Sequence, residues 1–185
     1  VEKLLSFSVR LSGNSSARTT QKLQKSAENS VLRTGNWYRI GVVNTGIYKM
    51  SYSSLAALGL NMQFDPRNLK VYGNGGRILP ERNNEYYPDD LAENAIYISG
   101  ESDGVFNEND FLLFYAQGNT TWKFDQIKSV FRHTKNMYAD TSWYYITTDG
   151  NQGKRILPQA QSPNAANQQI NVFDDYQVIE NDEEN

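Results

Sequence analysis

Residues 95–116, AIYISGESDGVFNENDFLLFYA, hold two apolar runs, Ala95 to Ile98 and Phe111 to Ala116, joined by the polar, glycine-bearing stretch Ser99 to Asp110. Both runs have strand length and are bounded by Ser, Gly, Asn and Asp, so they read as an apolar hairpin with both strands central in a sheet. The fold class follows from this pair and from the texture of the residues on either side.

Upstream, Trp37 to Val43 is a strand, Asn44-Thr45-Gly46 a three-residue turn whose glycine takes the left-handed conformation, and Ile47 to Met50 the return of a second hairpin. Ser51 is placed to cap a short helix over Tyr52 to Leu58, which Gly59 ends with Leu60 folding back. At two turns that helix is too short to stand alone and must pack on a sheet. Asp65-Pro66-Arg67-Asn68 is a turn or a single helical turn leading into the strand Leu69 to Tyr72, and Gly73-Asn74-Gly75-Gly76 breaks that strand. No Gly-Lys-Ser/Thr follows these glycines, so they read as a turn rather than a phosphate cradle.

Downstream, Ser142 to Thr148 is a strand, Asp149-Gly150 a turn, and Gly153 to Leu157 a short partner strand. At the amino end Leu4 to Leu11 alternates as a half-buried strand does, and Gly13 to Ser30 is a polar linker. Gln159 to Gln169 is a second polar linker, Ile170 to Ile179 alternates weakly, and the acidic residues up to Glu184 read as a solvated end. The expected organisation is an arm over 1–30, a β-rich domain over 31–158, and a linker with a carboxy-terminal strand over 159–185. The expected fold is mostly β: an antiparallel, sandwich-like domain with one or two short helices and extended arms.

Composition narrows the chemistry. The 185 residues contain no cysteine and a single histidine, His133. A thiol nucleophile, a Cys-rich zinc site, a disulfide framework and a two-histidine metal site are thereby excluded from this sequence. A net charge of -3 with scattered basic residues argues against nucleic acid as a partner. No apolar run approaches the length of a membrane-spanning helix. The sequence starts at Val1 without a methionine or a leader, as expected of a processed protein or an excised piece.

Three constellations could carry chemistry. With Gly104 at the sixth position of a twelve-residue calcium loop, Ser99, Glu101, Asp103 and Asp110 fall at positions one, three, five and twelve. Serine stands at position one, however, strands rather than helices flank the loop, and Asn, Asp and Gly recur in plain hairpin loops for backbone reasons. A structural loop is the favoured reading, and no cofactor is expected. Asp89, Asp90 and Glu93 could form a general acid and base, but Pro88-Asp89-Asp90-Leu91 reads as a turn that caps a short helical segment. Aromatics make up 12% of the chain, and core and cross-strand packing is the favoured role for them. Exposed Trp37, Trp122 and Trp143 would instead suit sugar stacking, so an adhesive or carbohydrate-binding sandwich is the alternative. Asn14 and Asn119 open Asn-x-Ser/Thr glycosylation patterns.

Taken together, SVLRTGNWYRIGVVNTGIYKM, DPRNLKVYGNGG and DDLAENAIYISGESDGVFNENDFLLFYAQG, in that order from about Ser30 to Tyr145, carry a resemblance. They resemble the amino-terminal region of the sortases of the type IX secretion system, gingipain-like cysteine peptidases of Bacteroidetes. The closing stretch from Asp174 to Asn185 is similar as well. The resemblance implies a protein of the cell surface, associated with the bacterial outer membrane. Such a protein removes carboxy-terminal signal domains from secreted cargo and joins the cargo to anionic lipopolysaccharide. It also implies partners: the protein's own catalytic domain, an outer-membrane barrel shuttle, other attachment-complex components and the cargo signal domains. The family's cysteine and histidine belong to a later domain and match no position here. The implied role is a non-catalytic domain that docks, supports or shields the peptidase.

Overall fold

The structure, a computed structural model, describes residues 27–82 and 84–158. The strand expected over Leu4 to Leu11, most of the first linker, and everything expected after Pro158 lie outside the described residues. The chain divides into two compact units, Val1–Arg155 and Ile156–Asn185. Of the second, only Ile156, Leu157 and Pro158 are described, and all three are exposed.

Among its described residues the first unit carries nine strands: β1 (Tyr38–Val42), β2 (Gly46–Ser51), β3 (Lys70–Tyr72), β4 (Glu93–Asn94), β5 (Ile96–Ile98), β6 (Phe111–Ala116), β7 (Thr120–Asp125), β8 (Val130–Lys135) and β9 (Ser142–Thr147). One α-helix, α1 (Tyr52–Ala57), and three single 3-10 turns complete the described elements. The strands form an antiparallel sheet in the order β1-β9-β3-β4, a second in the order β2-β6-β5, and the separate two-stranded ribbon β7-β8. The fold is therefore mostly β and sandwich-like, as expected.

The two larger sheets share one core. Val42, Val71, Tyr144 and Ile146 face Ile96, Ile98, Leu112, Phe114 and Ala116, and all nine are buried. The rings of Phe114 and Tyr144 meet across the sheets at 5.7 Å between centroids. The Tyr144 hydroxyl accepts a hydrogen bond from the Gln117 amide at 2.7 Å, which lets a polar tip end inside the sandwich. Burial pushes the Tyr144 phenol above its ordinary pKa, despite the opposing effect of that donor.

Local signals are realised closely where the partners are local. Ser51 Oγ accepts from the Ser54 amide at the start of α1. At the far end Gly59, at φ +89°, donates to Ala56 O while Leu60 donates to Leu55 O, the paired bonds of a glycine C-cap. Leu55 of the helix and Leu60 beyond it are both buried in the core. Asp65 caps the turn Pro66–Asn68 by accepting from the Arg67 amide at 2.9 Å.

Three pairings differ from expectation. The stretch 37–50 is not a hairpin: β1 pairs with β9 and β2 with β6, so the chain turns a corner between sheets at 43–45. Gly46 is absent from the positive-φ residues, and the left-handed turn that would fold β2 back on β1 does not form. The hairpin β5-β6 forms as expected, with Ile96 opposite Phe114, yet β5 is the last strand of its sheet rather than central. Residues 153–157 do not return along β9 either. Arg155 makes an isolated parallel bridge to Ile96 of β5, on the other sheet.

Candidate functional site

In the loop between β5 and β6 the four residues of the calcium pattern do not converge. Glu101 pairs with Arg155, with Nε 2.7 Å from its carboxylate. Asp103 accepts from the Val105 amide at 2.9 Å, two residues along its own turn. Asp110 is buried and accepts from the Asn107 amide at 2.8 Å, closing the loop on itself. Ser99 donates its backbone N–H to Phe111 O at the mouth of the hairpin. Among the described residues no group of three or more His, Asp or Glu side chains is arranged to hold a metal ion.

The acidic pair at 89 and 90 serves an unexpected end. No helix follows it; the next element is β4. Instead Asp90 caps a distant turn, accepting from the Val31 amide at 2.6 Å and from Ser30 Oγ at 3.1 Å, as well as from its neighbour Leu91. Asp89 accepts from the Ala27 amide. The two carboxylates thus fasten residues 27–31 to the domain. Asn74 locks the clip from behind, donating to Asp90 O and accepting from the Ala92 amide.

Burial works to raise the Asp90 pKa, but the hydrogen bonds from Leu91, Val31 and Ser30 outweigh it and hold the carboxyl below its ordinary 3.8. A carboxyl depressed in the folded state contributes stability above its unfolded pKa and loses it as pH falls through the folded value. The Val31 amide resonance should therefore titrate on acidification, with a midpoint below that of a free aspartate. Asp90→Ala should cost about 1–2 kcal/mol in urea unfolding at neutral pH. A Val31 amide that ignores pH would rule out the clip.

The tryptophans separate into two places. Trp37 and Trp143 lie on the outer face of the sheet β1-β9-β3-β4. There the Trp37 ring meets Tyr72 edge-on at 5.2 Å and its indole N–H donates to Thr34 O, while the Arg39 guanidinium sits 4.0 Å above the Trp143 ring. Trp122 lies on the ribbon, opposite His133, with ring centroids 5.1 Å apart. Asn119, the described acceptor of the two glycosylation patterns, is buried, and its side chain donates to Ala139 O. In the folded domain it presents no accessible amide.

One concave feature was not anticipated from the sequence. Where β7-β8 leaves the sandwich, a groove of about 670 Å³ is lined by Arg77, Glu85, Tyr115, Gln117, Trp122 and Lys123, with threonines between them. Its parts come from four separate stretches of chain, so no local motif could announce it. The single local signal was Phe111 to Ala116, six apolar residues without alternation. That pattern leaves Tyr115 on the face turned away from the core.

No protein-family model matches the chain, and no curated protein does so. Among solved structures it is similar to the crystal structure of dimeric latent PorU from Porphyromonas gingivalis, with 27% identity and a TM-score of 0.54. That match covers 75% of this chain and 12% of the PorU chain. No described helix is long and apolar enough to cross a membrane. The chain is thus PorU-like over most of its length, with a domain related to a small part of that larger protein.

Proposed function

We propose that this chain is a non-catalytic amino-terminal domain of a type IX secretion sortase, acting by docking, supporting or shielding the peptidase domain. The observation that carries the reading is the PorU match, which takes in most of this chain and only 12% of that one. The residue chemistry agrees: with no cysteine and one histidine, this sequence cannot supply a cysteine peptidase dyad. The best-defined carboxylates, Asp90, Glu101 and Asp110, are engaged with backbone amides or Arg155, as structural groups are.

On this reading the domain works at the cell surface, against the outer membrane. Its partners are its own catalytic domain, an outer-membrane barrel shuttle with other attachment-complex components, and the signal domains of cargo. The test has two arms. The isolated chain, mixed with a cargo protein bearing its carboxy-terminal signal domain, should give no cleavage; turnover would overturn the non-catalytic assignment. PorU from P. gingivalis with its matched segment deleted should lose stability or latency, and replacing the segment with this chain should restore part of it. Unchanged stability and latency on deletion would overturn the supporting and shielding roles.

A further inference from the structure

The ribbon β7-β8 has no core side. On one face Trp122 and Phe124 pair with His133 and Phe131, the two phenylalanine rings 5.0 Å apart, and Trp122, Phe124 and Phe131 are all exposed. On the other face Lys123 and Asp125 lie opposite Arg132 and Val130, with Arg132 bridged to Asp125 at 3.1 Å. A two-stranded ribbon that buries neither face contributes little to folding, yet this one keeps four aromatic rings and defines one wall of the groove.

We propose that this groove binds an uncharged oligosaccharide. A sugar offers a weakly apolar C–H face and a rim of hydroxyls, each both donor and acceptor. A site for it combines an exposed aromatic surface with polar groups of both kinds. Tyr115 is 53% exposed and Trp122 42%, and both line the groove. Arg77 and Lys123 donate, Glu85 accepts, and the Gln117 carboxamide does both.

Arg77 is also positioned in advance. Its guanidinium lies 5.2 Å from the Tyr87 ring centroid, a contact that narrows its rotamers before a ligand arrives. Glu85 offsets one of the two cations that line the groove, which weakens its attraction for a polyanion and suits a neutral chain of hydroxyls. Among the described residues Glu85 is the single carboxylate lining the groove, and glycoside hydrolysis uses a pair, so the groove is read as binding rather than cleaving. This inference stands independently of the proposed sortase role.

The test is a titration of the isotopically labelled chain, followed by amide and indole NMR shifts. The probes are the hexasaccharides of β-1,4-glucan, β-1,3-glucan, β-1,4-mannan and α-1,4-glucan. At least one should shift Tyr115, Gln117 and the Trp122 indole, with a Kd of roughly 0.1–1 mM. Tyr115→Ala and Trp122→Ala should each weaken binding about tenfold or more with melting temperature little changed, since both side chains are exposed. Trp143→Ala, on the other sheet, should bind as the native chain does. Silence with all four probes, shifts that survive both groove substitutions, or tighter binding of an oligogalacturonate than of any neutral hexamer would each overturn the proposal.

Discussion

Gly118→Ala is expected to destabilise the domain by about 3 kcal/mol or more, lowering the melting temperature by roughly 6–12 °C. A methyl group at this position would sit 2.0 Å from the carbonyl oxygen of Val43 and 3.0 Å from the Asn44 carbonyl carbon. Both obstacles are backbone, so no rotamer change relieves them. Gly118 is where three strands of chain meet: its N–H donates to Thr45 Oγ1 and its carbonyl accepts from the Gly76 amide. To make room, the corner that carries the chain from β1 into β2 would have to move, and with it the order of both sheets. Thermal and urea unfolding of the purified variant provide the measurement. A melting temperature within a degree or two of the native value would mean that this crossing is looser than the geometry requires.

Arg155→Ala should cost about 3 kcal/mol, and Arg155→Lys should recover less than half of it. The guanidinium is only 12% exposed and makes several bonds at once. Nε donates to Glu101, NH1 to Leu69 O and Lys154 O, and NH2 to both Pro66 O and Arg67 O. One planar fork thereby ties the loop before β6 to the turn before β3, while the backbone of the same residue bridges to Ile96 of β5. Truncation would strand several half-buried carbonyls and leave the Glu101 carboxylate without its cation, which is the expensive part. A lysine offers one ammonium where five N–H groups stood. Combining Arg155→Ala with Glu101→Gln in a double-mutant cycle should show coupling of about 1 kcal/mol or more. Additive losses would show that the ion pair itself contributes little and that the carbonyl contacts dominate.

Much of the fold is legible one segment at a time. The Ser51 cap, the helical turn that opens at Asp65, the Gly59 stop with Leu60 folding back, and the β5-β6 hairpin all depend on residues close in sequence. For these, backbone preference and a side-chain oxygen within a few residues are sufficient. The pairing of β1 and β2 is different. Two adjacent strands joined by Asn-Thr-Gly favour a hairpin on local grounds, yet each finds a better partner far along the chain. With β1 beside β9 and β2 beside β6, Val42 and Tyr144 of one sheet share a core with Leu112 and Phe114 of the other.

The candidate sites divide along the same line. The calcium pattern is a matter of spacing, and spacing cannot show that Glu101 is held by Arg155, 54 residues away. Asp89 and Asp90 read as a turn cap, which is correct in kind, but the turn they cap begins at Ser30 rather than beside them. The groove was invisible for the same reason, since its aromatic and polar lining assembles only when ribbon and sandwich are both formed.

By itself, then, the sequence determined a β-rich chain with one capped helix, no thiol chemistry, and the turns at which strands end. These follow from composition and from contacts made within a few residues. Only the tertiary structure decided which strands pair beyond the β5-β6 hairpin, which carboxylates are occupied, and where a concave surface opens. Any strand edge can hydrogen-bond to any other, so the choice falls to the packing of side chains such as Phe114 and Tyr144, brought together from opposite sheets.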